Sequence, residues 1–191
     1  MKESGPSQRR APVSGILVAA RVVASLLVGL YAGGVFFVVL APSVGRLPGP
    51  AYVGYWQALN ADYGRAMPPL LLTAVVALAV VTVLSWGRGG LVLHLSVAAL
   101  VLVIGTVVLT LAGLEPLNRI ADAWDPGRLP ADWEESRRRW SSLHLVRTVL
   151  AVAAFACLVA AQAVDSARTG GAAPEGRGAA PVAGEVRPRA G

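Results

Sequence analysis

Charge, cysteine and histidine are all scarce in this sequence. Asp, Glu, Lys and Arg together make up 15% of its 191 residues, against roughly 25% in soluble domains. The few charges are clustered, so long stretches carry none. A water-soluble core of this length would need polar positions interleaved along every element to cover its outer face. Segments that are apolar on all sides suit lipid as the solvent instead. The single cysteine, Cys157, allows no intramolecular disulfide and no paired-cysteine redox motif. That excludes a self-contained thiol–disulfide enzyme, and Cys157 reads as a small apolar residue within a helix. The two histidines, His94 and His144, open two consecutive apolar stretches at opposite ends. The stretch between them separates them by roughly 30 Å at 1.5 Å per residue, so the chain offers no bis-histidine haem or metal site. No His, Cys and carboxylate cluster has metal-ligand spacing, and neither a metal nor a cofactor is expected.

Apolar residues, by contrast, make up 55% of the chain. They fall into four runs. The first is uncharged from Val22 to Pro42, and its apolar character begins near Val13 with Arg21 as an interruption. About 20 apolar residues span a hydrocarbon core, whereas a cleaved signal peptide has an apolar region of only about 7–15 residues. The run therefore reads as a retained helix, with Arg21 snorkelling toward the headgroups. The second span is expected from Ala66 to Trp86, opening on Met67-Pro68-Pro69, since proline suits a first helical turn. Gly87-Arg88-Gly89-Gly90 allows only a tight turn before the third span, Leu91 to Leu114. The fourth runs from Leu143 to Val164. Its helix begins outside the membrane near Asp132, where Asp132-Trp133-Glu134-Glu135 suits a helix N-terminus. The expected fold is all-α: a four-helix transmembrane bundle with a short interfacial helix in the first loop. Its domain occupies residues 13–166, between a basic N-terminus (1–12) and a tail rich in Ala, Gly, Pro and Arg (167–191); both ends have compositions typical of disorder.

The net charge is +6, and all but one of the 17 basic residues are arginine. These residues flank the apolar spans, where orientation and anionic headgroups account for them, and nucleic acid is not expected as a partner. Four crossings place both termini and the Arg88 turn on one side, and the connections Ser43–Arg65 and Glu115–Ser142 on the other. The basic residues divide almost evenly between the sides. Net charge favours cytoplasmic termini in a multi-pass protein of the plasma membrane. The oligomeric state is left open, and Gly29 with Gly33 forms a GxxxG motif of the kind that packs helices.

The chemistry-bearing residues gather on the loop side. Glu115-Pro116-Leu117-Asn118-Arg119 closes the third span. Trp140, His144 and Arg147 open the fourth at spacings of four and three, hence on one helical face. The first loop adds Tyr55, Trp56, Asn60 and Tyr63 along one side of its helix. Aromatic and hydrogen-bonding groups thus converge at one mouth of the bundle, as a flat lipophilic ligand would require. Plainer readings compete. Trp86, Trp124 and Trp133 fit ordinary interface anchors, Asn118 could cap the third span, and Arg137-Arg138-Arg139 fits a solvated or headgroup-binding run. Arg147 is harder to explain in that way, because an ionisable group one turn into a span is costly and usually faces a partner; Glu115 is the candidate.

Several motifs taken together resemble the anthrone oxygenase-like family of four-span membrane proteins. They are Gly33-Gly34-Val35-Phe36-Phe37 through Ala41-Pro42, Trp56-Gln57-Ala58-Leu59-Asn60, Met67-Pro68-Pro69, Pro116-Leu117-Asn118, and Trp140 with His144 and Arg147. The resemblance covers about Val13 to Val164. It implies a four-helix bundle and, from fungal members, oxidation of polyketide anthrones to anthraquinones with molecular oxygen. On that reading His144 is the base, Arg147 stabilises developing negative charge, Asn118 and Asn60 orient the ketone oxygen, and Trp140, Trp56 and Pro116 contact the rings. The substrate would be a lipophilic aromatic or quinol-type molecule. A second reading makes the chain a non-enzymatic accessory or lipophile-binding membrane protein, consistent with the lack of any redox centre of its own. A pump or channel ranks third, because the spans lack a chain of carboxylates.

Overall fold

The computed structural model describes residues 11–41 and 43–170. Most of the expected basic N-terminus and of the C-terminal tail lies outside these residues. Helix α1 spans Ala11–Val39, α2 Gly49–Leu84, α3 Gly90–Leu109, α4 Glu115–Asp122 and α5 Trp133–Gly170. A 3-10 turn, Val44–Arg46, sits in the first connection, and a π-helical turn, Thr110–Leu114, joins α3 to α4. No strand forms among the described residues. Four stretches are long and apolar enough to cross a bilayer: Gly15–Arg46, Gly49–Leu84, Gly90–Asp122 and Trp133–Arg168. The fold is therefore the expected all-α bundle with four membrane-spanning helices. The last helix continues to Gly170, beyond the boundary expected at 166.

The spans form a ring in which α1 packs on α2 and α5, and α3 packs on α5 and α2. Alanines recur along the seam between them, interleaved with valine and leucine. Ala24, Val28 and Ala32 of α1 meet Ala74, Leu78 and Val81 of α2, Ala99 and Val103 of α3, and Ala151, Ala154 and Leu158 of α5. Small side chains at helical spacing let backbones approach closely, which drives association where lipid removes the usual hydrophobic force. Gly29 illustrates this, since a Cβ there would stand 3.2 Å from the Phe155 ring. Large apolar residues face outward, among them Leu26, Leu30, Leu72, Val83 and Leu111. An outer face of large apolar side chains is suited to a hydrocarbon surround.

At the turn end, α2 and α3 are joined by a break in which Gly87 and Gly89 take φ of +83° and +116°, values that strain any other residue. Arg21 does not snorkel. It is buried and donates from Nη1 to Asp165 Oδ2 at 2.7 Å, and Arg88 reaches the same carboxylate oxygen at 3.3 Å. In hydrocarbon a counter-charge within the bundle satisfies an arginine that lies too deep to reach the headgroups.

The prolines act differently from expectation. The first-loop helix is present, but it is the N-terminal half of α2, which runs unbroken through Pro68 and Pro69. At 1.5 Å per residue α2 is about 54 Å long, so it stands well clear of a hydrocarbon core of about 30 Å. Likewise the third span does not end at Leu114. Pro116 has no N–H to return to the preceding turn and its ring crowds that turn. The backbone widens into the π turn, with Glu115 N donating to the Thr110 carbonyl, and then resumes as α4. Spanning helices tolerate such prolines because neighbours and local π adjustments satisfy the freed groups.

Candidate functional site

Between Trp56 and Leu71, α2 buries no side chain. Over this stretch it stands away from α3 and leaves a cavity of about 640 Å³. Trp56, Asn60, Tyr63 and Met67 of α2 line one wall. Ile104 and Val107 of α3, Thr110 and Leu111 of the π turn, and Asn118 of α4 line the other, and Trp140, His144 and Arg147 of α5 close the back. Leu72, Ile104 and Leu111 line the cavity and are also exposed on the outer face of the bundle. Leu72 and Ile104 lie about 18–21 Å along their helices from the turn end, within hydrocarbon depth. The cavity thus opens sideways between α2 and α3.

Over its loop-side end sits an aromatic cluster. Trp56 packs tilted against Trp140 with centroids 5.4 Å apart and edge-on to Trp124 at 5.9 Å, while Tyr52 lies against Trp56 and Trp133. Trp124 and Trp133 are therefore packed into this cluster; Trp86, which is 79% exposed, keeps the position of an interface anchor. Asn118 is the polar centre of the cluster. Its Oδ1 accepts from Trp56 Nε1 at 3.0 Å and from Trp140 Nε1 at 2.9 Å. Both acceptor lone pairs are thereby occupied, which fixes the orientation of the amide and leaves its –NH₂ as the group available to the cavity. Asn118 does not cap a helix end, because α3, the π turn and α4 form one continuous rod through it.

Deeper in, a chain of hydrogen bonds crosses from α1 to α5. His144 Nε2 lies 2.9 Å from the Val35 carbonyl oxygen. A carbonyl only accepts, so this nitrogen carries the proton and Nδ1 is the lone-pair side. Arg147 Nη2 donates to that Nδ1 at 2.7 Å. The Thr148 hydroxyl donates to the His144 carbonyl at 2.9 Å, and the His144 ring stacks on Trp140 with centroids 4.9 Å apart and planes 16° from parallel. The imidazole is thus held on every side.

Six of the residues expected at a site share this cavity: His144, Arg147, Asn118, Trp140, Asn60 and Trp56. Asn60 is at the rim, where its Nδ2 donates to Asp122 Oδ2 at 2.6 Å. Pro116 does not line the cavity and instead underlies the π turn that shapes one wall. Glu115 is not the partner of Arg147, because it accepts from Arg119 Nε at 2.9 Å, one turn along α4. Tyr63 lines the cavity and ties α2 to α1 by donating to the Gly34 carbonyl at 3.2 Å; Tyr55 does not line it. The sequence reading missed Tyr31, a buried tyrosine of the bundle core that does not itself line the cavity. It also missed Gln57, whose amide donates to the Ala121 and Trp124 carbonyls and so closes the exposed end of α4. A polar residue every third or fourth position through 56–63 was the available signal for the Gln57 and Tyr63 contacts. Nothing local marks Tyr31.

Fold and cavity together define a multi-pass helical membrane protein with an aromatic-capped chamber that opens between two of its spans. This chain belongs to the anthrone oxygenase family: the family model described as Anthrone oxygenase matches residues 56–157, more than half of its length. No curated protein and no solved structure matches it. The matched stretch contains every expected site residue, while α1, which supplies Val35 and Tyr31, lies outside it.

Proposed function

We propose that the protein oxidises a flat, lipophilic, anthrone-like or quinol-type substrate with molecular oxygen, from the plasma membrane and with cytoplasmic termini. The observation that carries the reading is the combination of one fixed amide donor, Asn118, and one buried guanidinium, Arg147, converging on a chamber lined mostly by apolar and aromatic groups. Such donors, held rigid in a water-poor site, favour charge that develops on a bound carbonyl oxygen.

The chemistry follows from the substrate as much as from the protein. The methylene of an anthrone is a carbon acid whose anion delocalises onto the ring oxygen. As Arg147 turns from His144 Nδ1 to that oxygen, it frees the lone pair that takes the methylene proton. The carbanion gives one electron to dioxygen, and the resulting radical and superoxide combine at that carbon to a peroxide anion. The proton held by His144 returns to the peroxide, and loss of water leaves the second carbonyl. One dioxygen is consumed and one water released per quinone formed. Trp56 and Trp140 supply apolar ring contact, and Asn118 holds the ketone oxygen.

His144→Gln tests the assignment cleanly. The Gln amide can donate to Val35 and accept from Arg147 as the imidazole does, yet it has no basicity. Oxygen uptake by purified protein in lipid nanodiscs with an anthrone should fall about 10²–10⁴-fold, the usual contribution of a general base. Uptake equal to that of the unaltered protein would remove His144 as the base. The alternative, a lipophile-binding protein without turnover, is favoured by one observation: both ring nitrogens of His144 already hold partners. A stoichiometric bound aromatic with no oxygen uptake would select it.

A further inference from the structure

The bundle contains two inward-facing arginines at opposite ends, and it treats them differently. Arg21 is paired with Asp165 at 2.7 Å. Arg147, about 27 Å along α5 from Asp165 at 1.5 Å per residue, has no carboxylate within ion-pair distance among the described residues. Its Nη2 is spent on a neutral imidazole, and its Nε is buried with no hydrogen-bond partner. Tyr63 lines the same chamber, but its hydroxyl already donates to the Gly34 carbonyl. The acidic groups near the chamber are committed at its rim, Glu115 to Arg119 and Asp122 to Asn60. A guanidinium stays charged at any ordinary pH, and an unpaired charge in a low-dielectric interior is costly.

We infer that the chamber binds its ligand already ionised: Arg147 is a subsite for one anionic oxygen, a carboxylate or an ionised phenol, carried on a hydrophobic body. The inference rests on the chamber being the ligand site proposed above and adds the charge of what occupies it. The missing counter-charge of the bundle comes with the ligand. Arg147 lines the chamber and presents its guanidinium to that oxygen, and the Ile104, Val107 and Leu111 wall takes the apolar remainder. One ligand chemistry, an acid on a lipophile, could come from two sources, an aromatic acid or a fatty acid of the bilayer.

The test compares ligands matched in shape. Fluorescence titrations would use 9-anthracenecarboxylate and its neutral counterpart 9-anthracenemethanol, with the protein in nanodiscs of zwitterionic lipid and empty nanodiscs as the blank. The carboxylate should bind about 10–100-fold tighter than the alcohol, the range of a charge-assisted hydrogen bond. Arg147→Gln should remove that ratio and Arg147→Lys should keep part of it. Equal binding of the two ligands by the unaltered protein overturns the inference and needs no variant to fold. A ratio that survives in Arg147→Gln overturns it as well. Displacement of the carboxylate by oleate at equal concentration would assign the source to bilayer fatty acid, and failure of oleate to displace it would assign an aromatic acid; both support the anionic subsite. The two proposals separate in the same preparation. Oxygen uptake with a neutral anthrone but no charge preference keeps the oxygenase and removes the subsite. Charge preference with no uptake on any anthrone does the reverse.

Discussion

Replacing Asn118 separates what that residue does for the fold from what it does for the ligand. Its Oδ1 is the acceptor for two indole N–H groups, on side chains only 2% (Trp56) and 8% (Trp140) exposed. Asn118→Ala strips both of their acceptor. A buried donor left unsatisfied costs about 1–3 kcal/mol, so the pair puts about 2–6 kcal/mol at stake. Trp140 borders the cavity, where water can replace the lost acceptor, and the lower half of that range is expected. Asn118→Asp behaves differently. Its carboxylate still accepts from both indoles, so thermal unfolding in detergent, followed by tryptophan fluorescence, should stay near that of the unaltered protein. The amide donor, however, is exchanged for a negative group facing the bound carbonyl. Oxygen uptake should then drop by about 10²–10³-fold, the usual effect of removing one oxyanion donor. The reasoning fails on its structural side if Asn118→Ala melts with the unaltered protein. It fails on its chemical side if Asn118→Asp turns over at full rate.

Three further outcomes are expected. Asp165→Leu leaves Arg21 buried without its carboxylate and should lower stability by about 3–5 kcal/mol, whereas Arg21→Met together with Asp165→Leu should recover most of the loss in the same unfolding assay. Gly89→Ala forces a side chain onto a φ of +116° and against the Arg168 guanidinium, at a cost of about 1–3 kcal/mol from the backbone strain; adding Arg168→Ala removes the clash but not the strain, so recovery should be partial. Leu72→Trp narrows the opening between α2 and α3 away from the polar groups, and steady-state kinetics should show kcat/KM falling with kcat unchanged, the pattern of impaired capture.

The spans were legible because charge was segregated from apolar runs, a pattern that needs no partner to be read. Their ends were not, and proline was the reason. Met67-Pro68-Pro69 and Pro116 read as boundaries by the rules of soluble helices, while a helix packed among other helices in lipid runs on through them. Spacing placed Asn118, Trp140, His144 and Arg147 at one mouth, because residues three and four apart share a helical face and consecutive spans are antiparallel. Their bonding was out of reach. That Asn118 accepts from Trp56, 62 positions away, depends on how two indoles are turned, and that Arg21 meets Asp165, 144 positions away, depends on relative depth in two helices at opposite ends of the chain. Tyr31 was invisible for the same reason, being one apolar-run residue among many until α3 and α5 surround it.

A chamber whose doorway faces acyl chains draws from a two-dimensional reservoir. The quantity that sets occupancy is then the mole fraction of substrate among lipids, not its concentration in the aqueous phase. Adding protein-free vesicles at constant total substrate dilutes that reservoir and raises the apparent KM. A poorly water-soluble molecule, conversely, reaches the chamber by partitioning rather than by diffusion through buffer. Rates measured in detergent micelles and in bilayers therefore become comparable only when expressed per lipid or per detergent molecule.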